Sequence, residues 1–238
     1  MLIISDLSIF KSSFTEKQTV TISTGHLVAT AEGKAELSCQ LSPPQNAEHM
    51  EVQWFRKDNS KLVLLYRGGQ TVNEEAAPEY VGRTEFLKEA IGKGKVTLRI
   101  HNTSVPDNGI YLCSFKANDF DGIATMNLSV VALGVETQID VQQLVTAGFL
   151  VECASRGWFP QPQMEWKDSR GVVVPPSSIS YAQDESGLFR MKMTLFLQNQ
   201  SHSNITCFIH NPLTTEWKQT TVILTGEQSA EGTTSKIG

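Results

Sequence analysis

The sequence predicts an all-β chain: two tandem immunoglobulin-like sandwiches, variable-type then constant-type. Three observations carry this prediction. Period-2 alternation of apolar and polar residues dominates from residue 35 onward. Turn signals (SPPQN, YRGGQ, VPDNG, VPPSS) separate the alternating runs, and no long segment has helical period. A cysteine–tryptophan–cysteine triplet occurs twice, as Cys39, Trp54 and Cys113 and as Cys153, Trp166 and Cys207. In an immunoglobulin sandwich that triplet is a disulfide between the sheets with an indole packed on it.

The elements follow in order. Residues 1–24 open with MLIISDLSIFK, which lacks a basic start and a small-residue cleavage site, a poor signal-peptide candidate. The variable-type domain is expected over 25–132. AELSCQL puts Ala35, Leu37, Cys39 and Leu41 on one face; KVTLRIH does the same with Val96, Leu98 and Ile100. The wide Cys39–Cys113 span leaves room for the extra C′ and C″ strands of a variable-type domain. Tyr111, two residues before Cys113, holds the tyrosine-corner position; its hydroxyl should bond to backbone near Asp107, and Asp107 should pair with Arg83.

VALGVE, 131–136, is the expected join, and the constant-type domain is expected over 136–226. FLVEC, LFRMKMTLFLQ and NITCFIH supply its alternating strands. Ile205 stands where a corner tyrosine would be. In GWFPQPQMEW, Trp158 and Phe159 wedge the B–C turn and Pro160 reverses the chain, so a cis Phe159–Pro160 bond is predicted. Residues 227–238 read as a flexible polar tail.

Composition excludes several function classes. Lys and Arg number 20 against 25 Asp and Glu, a net charge of −5, and the basic residues are scattered. There is no basic surplus to displace counterions, so no nucleic-acid partner is expected. The cysteines show no C-x-x-C spacing. They should form Cys39–Cys113 and Cys153–Cys207, one in each core, in an oxidising compartment. No run of 18 apolar residues occurs, so membrane attachment could come only from segments outside this sequence. The histidines His26, His49, His101, His202 and His210 have no metal-ligand spacing. GKG at 92–94 reads as a turn, and G-x-S-x-G is absent. No catalytic group, cofactor, metal or small-molecule substrate is expected.

Binding chemistry is expected at the surface of the first domain. With Trp54 and Cys113 inward, Gln53, Phe55, Leu112, Ser114 and Lys116 should point out, with Phe55 and Leu112 an exposed apolar patch. The stretch KANDFDGIA, 116–124, is expected to be the third hypervariable-like loop, with Phe120 between Asp119 and Asp121 as an aromatic anchor. Tyr66 and Arg67 on the C′ edge complete the expected contact set. Sugar-acceptor triplets begin at Asn102, Asn127, Asn199 and Asn204. In TMNLSV, Met126 and Leu128 point in, so Asn127 points out beside Thr125 and Ser129.

ELSCQLSPPQNAEHMEVQWFR, YVGRTEFLKEAIGKGKVTLRI and ECASRGWFPQPQMEW resemble the paired ectodomains of butyrophilins and butyrophilin-like proteins. The first stretch looks most like the Skint branch, named for selection and upkeep of intraepithelial T cells. The resemblance covers residues 25–226. It implies a non-enzymatic epithelial or thymic surface molecule that engages a protein receptor on developing γδ T cells. Two other readings compete: a homophilic, self-associating structural module, and an inert truncated product.

Overall fold

The computed structural model describes residues 17–144, 148–198, 204–224 and 230–237. The first domain holds strands β1 (Thr19–Ile22), β2 (His26–Thr30), β3 (Lys34–Ser42), β4 (Glu51–Arg56), β5 (Leu62–Arg67), β6 (Gln70–Thr71), β7 (Thr84–Leu87), β8 (Lys95–His101), β9 (Gly109–Ala117) and β10 (Phe120–Val131). They form two sheets, β1-β3-β8-β7 and β2-β10-β9-β4-β5-β6. The second domain holds β11 (Glu136–Leu144), β12 (Gly148–Trp158), β13 (Gln163–Asp168), β14 (Val173–Val174), β15 (Ser178–Gln183), β16 (Phe189–Leu197), β17 (Asn204–His210), β18 (Trp217–Leu224) and β19 (Ala230–Ile237). Its sheets are β11-β12-β16-β15 and β14-β13-β17-β18-β19.

Each pair of sheets is pinned by one disulfide. Cys39 bonds Cys113 and Cys153 bonds Cys207, with Cα separations of 6.6 and 6.3 Å. Trp54 and Trp166 are fully buried in the respective cores. The alternation read from sequence is the burial pattern observed: β3 and β8 bury every second residue, as do β16 and β17. Phe159–Pro160 is cis, and so is Ser42–Pro43.

Two boundaries differ from expectation. The first sandwich begins before residue 25, because β1 pairs with β3 from Thr19↔Ser42 to Ile22↔Cys39. TVTI is itself an alternating β-branched run, and Val20 and Ile22 pack on the core. The expected flexible tail contains β19, which pairs antiparallel with β18. An edge strand offers a row of unpaired backbone groups, and even a polar segment can satisfy them.

A polar cluster closes the lower end of the first domain, the end that leads into the join. Asp107 is buried and accepts two hydrogen bonds from the Arg83 guanidinium at 3.0 and 2.8 Å. It also caps its own 3₁₀ turn by accepting from the Ser104 backbone N–H at 2.9 Å. The Tyr111 hydroxyl donates to the Asp107 carbonyl at 2.8 Å, which is the tyrosine corner. Beside it, buried Arg56 donates to Asp58, to the carbonyls of Pro106 and Asn108, and to the Tyr111 oxygen. Burial opposes the Arg56 charge, but the hydrogen bond to Asp58 and the nearby Tyr111 and Tyr80 outweigh it and raise its pKa.

The join is docked on the second domain. Ala132 and Phe159 exchange backbone hydrogen bonds of 2.8 and 3.0 Å, and Val135 N–H donates to the Arg156 carbonyl. Lys218 Nζ donates to the Gly134 carbonyl, and burial lowers the Lys218 pKa. Gly134 lies against the Trp158 indole so closely that a Cβ there would overlap it. Trp158, read from sequence as a turn wedge, thus also clamps the join.

The Asp107 cluster sets a graded prediction. Asp107→Ala leaves a partly buried guanidinium without its carboxylate and uncaps a turn, and should cost about 3 kcal/mol. Tyr111→Phe loses one hydrogen bond and should cost about 1 kcal/mol. Denaturant unfolding followed by tryptophan fluorescence measures both; equal losses would contradict the ranking.

Candidate recognition face

The outer face of the sheet carrying β4, β9 and β10 is the candidate site. Cross-strand register organises it into rows. At the end bearing the β9–β10 turn, Glu51, Lys116 and Asp121 lie side by side. Next come Gln53, Ser114 and Ile123, then Phe55, Leu112 and Thr125. The last row is Ile110, Asn127 and His26. The charged row alternates in sign, which is the favourable order for directly opposed side chains. Arg67 extends it: its guanidinium donates to Glu51 at 2.6 Å and Glu75 at 3.0 Å, and the hydrogen bond to Glu51 raises its pKa.

The apolar content of the face is not distributed as the sequence suggested. Phe55 and Leu112 are half-buried against their neighbours, so the exposed patch expected of them is corrected. The exposed large side chains are Ile123 at 51%, Val28 at 42% and Ile110 at 38%. Alternation could have found two of these. Ile110 is three residues from inward Cys113, and Ile123 three from inward Met126, so both must point out.

Ser114 is the second correction. It does face outward, but it is fully buried beneath its row, and its Oγ has no hydrogen-bond partner among the described residues. A buried hydroxyl left unpaired costs roughly 1–3 kcal/mol. Ser129 is also buried, bonded to His26 at 2.7 Å.

Tyr66 is the third correction. It is 2% exposed and belongs to the core, where it packs on Phe86 with ring centroids 4.8 Å apart. Its hydroxyl donates to the Glu48 carbonyl at 3.0 Å. The cause is register: Tyr66 lies opposite Val52, which is two residues from Trp54 and faces the core with it. Residues 63–66 are buried on both faces, so the run LVLLY does not alternate in burial and gives no sign of which side Tyr66 takes.

The expected loop at 116–124 is the fourth correction. Strands β9 and β10 continue to Ala117 and Phe120, leaving only the two-residue turn Asn118–Asp119. Phe120 is half-buried, packs on the core and folds over Gly122 beside Val20. It anchors the hairpin to its own domain. Asp119 and Asp121 remain exposed.

The acceptor asparagines lie away from the β9–β10 turn. Asn127 is exposed in the last row, seven residues or about 23 Å along β10 from Phe120. Asn102 is exposed beside the Asp107 cluster, with φ +49, and Asn204 begins β17 of the second domain. Asn199 lies outside the described residues. No helix among the described residues is long and apolar enough to cross a membrane.

Comparison with known proteins matches this architecture. Residues 23–131 match an immunoglobulin V-set domain, and 133–219 match the Ig-C domain described as butyrophilin subfamily 3 member A2-like. The crystal structure of bovine butyrophilin superposes with a TM-score of 0.84 at 32% identity, covering 89% of this chain and 100% of that one. The chain belongs to the butyrophilin-like family. Its Skint-branch relatives include mouse selection and upkeep of intraepithelial T-cells protein 7, 57% identical over 89% of this chain and 54% of that protein. The macaque protein 1 of the same series is 52% identical over 83% of this chain and 56% of that protein. The chain thus spans about half the length of the curated relatives it matches. These are immunoglobulin-fold, receptor-type domains.

The corrections can be separated experimentally. Tyr66→Ala should destabilise by about 3 kcal/mol, as a buried aromatic does. Ile123→Ala should change stability by less than about 0.5 kcal/mol. Thermal unfolding checks both; a costly Ile123→Ala would mean that the side chain is packed rather than presented.

Proposed function

We propose that this butyrophilin-like chain is an extracellular recognition module that engages a protein receptor on developing or intraepithelial γδ T cells. The observation that carries the reading is the presented Ile123, set between a charged row and half-buried Phe55 and Leu112. Desolvating such a centre within a polar rim is how protein interfaces gain most of their energy. The printed names of the relatives, which concern intraepithelial T cells, support the cell type. The two disulfides support export, since such bonds persist in oxidising compartments.

The contact is centred on Ile123, Phe55 and Leu112 and bordered by Arg67, Lys116, Asp119 and Asp121. A sugar on Asn127 then lies at the lower rim, beside Ile110, and leaves the centre open. Phe120 acts indirectly, by holding the β9–β10 hairpin.

Secreted, glycosylated two-domain protein should stain γδ T cells. Ile123→Asp should reduce binding at least tenfold, because it puts a charge at the centre of a desolvated patch. Asn127→Gln should leave binding unchanged or stronger. Full binding by folded Ile123→Asp would overturn the proposal. Self-association is the competing use of the same face; sedimentation showing a dimer that Ile123→Asp abolishes, without cell staining, would favour it.

A further inference from the structure

The second domain has one sheet edge without the usual protection against strand addition. Proteins blunt their edges with lysine, proline, bulges or short strands. Strand β15, SISYAQ, pairs only with β16 among the described strands, and its register runs unbroken from Ser178↔Thr194 to Gln183↔Phe189. It has no charged residue, no proline and six exposed side chains. The other described edges of this domain are guarded: β14 is two residues long, β11 carries Asp140, and β19 carries Glu231 and Lys236.

The two sides of β15 differ in chemistry. Ser180 and Ala182 face outward, opposite Lys192 and Arg190 of β16. Being small, they leave an open groove of about 520 Å³ whose lining includes Arg156, Arg190 and Lys192 and no carboxylate. Lys192 is paired with Glu152 at 2.7 Å. Asp184 lies within electrostatic reach of Arg190, and its Oδ1 accepts from Ser186 and Leu188. On the other side, Ile179 and Tyr181 turn toward the core yet stay 41% and 36% exposed, with no second described strand beside β15 and with Tyr181 hydrogen-bonded to Gln161.

We propose that the β15 edge accepts an extended acidic strand from a protein partner, with carboxylate and apolar side chains in alternation. The added backbone pairs with β15 about 4.8 Å away. Its carboxylates face the groove, where Arg190 and Lys192 reach them over Ala182 and Ser180 through charge-assisted hydrogen bonds. Its apolar side chains cover Ile179 and Tyr181. A second copy of this chain fits less well, because self-pairing at β15 brings two cation-lined grooves together. The site lies on a different domain from the recognition face and does not depend on it.

The test is a titration of the oxidised 238-residue chain with a capped hexapeptide of alternating glutamate and valine. A lysine–valine hexapeptide and a glutamate–valine peptide of the same composition in two blocks serve as controls. The alternating acidic peptide should saturate and slow amide hydrogen exchange over 178–183. The lysine and block peptides should bind at least tenfold more weakly. Arg190→Glu should weaken the acidic peptide at least tenfold, and Ala182→Trp should abolish binding by filling the groove, both with unchanged circular dichroism. Absence of saturable binding, equal binding of the lysine peptide, or protection outside the β15 edge would overturn the proposal. So would a dimer in sedimentation that Ala182→Trp dissolves, since the occupant would then be a second copy.

Discussion

The bond between Cys39 and Cys113, packed by Trp54, sets the terms for the first domain. Its 6.6 Å Cα separation ties β3 to β9 across the sandwich and commits Cys113 to the interior. Side chains on a strand alternate faces, so one inward residue decides the direction of every other along an unbulged strand. Leu112, Ser114 and Lys116 must then face out, and register carries the choice to Phe55, Gln53 and Glu51 on β4 and to Asp121, Ile123 and Thr125 on β10. The outward set of the candidate face is thus a consequence of the core pin. Cys153 and Cys207 do the same for the second domain, placing Ala154, Arg156, Arg190 and Lys192 on one outer face.

Where alternation held, the sequence was legible. Both disulfides, both core tryptophans, the Arg83–Asp107 pair, the tyrosine corner and the cis bond at Pro160 follow from residue type and spacing. The misreadings have physical causes. Tyr66 sits in β5, which is covered on both faces, so only its register opposite Val52 shows that it points inward. Phe120 looked like a loop tip because acids flank it; the strands run on to a two-residue turn and use the ring as packing. Strand β19 is polar and has no alternating signal, so pairing along β18, rather than side-chain burial, is what the structure reveals of it. The unpaired Ser114 hydroxyl could not be foreseen, since it depends on what its neighbours cover.

Architecture and the placement of the acceptor triplets point the same way. Among the described residues, the acceptor asparagines lie beside the Asp107 cluster, in the last row of the face and at the start of β17, leaving the β9–β10 turn and the charged row clear. The join is held by the Ala132–Phe159 bridge and the Gly134–Trp158 contact, and Gly187 of the second domain approaches Val105 of the first. A docked join presents the first domain in a defined direction, which reduces the ordering cost of binding at its face.

Steric masking with sugars tests the central claim directly, because it blocks one sheet face without relying on the energy of a single contact. Ile123→Asn creates an acceptor triplet with Thr125 on the β4–β9–β10 face, and Glu36→Asn creates one with Ser38 on the opposite, β3–β8 face. Both proteins, secreted and shown to carry the added sugar, are to be compared for γδ T-cell binding. The account predicts that glycosylated Ile123→Asn protein fails to bind while glycosylated Glu36→Asn protein binds as the parent does. Retained binding with a sugar at residue 123, or loss of binding with one at residue 36, would contradict it.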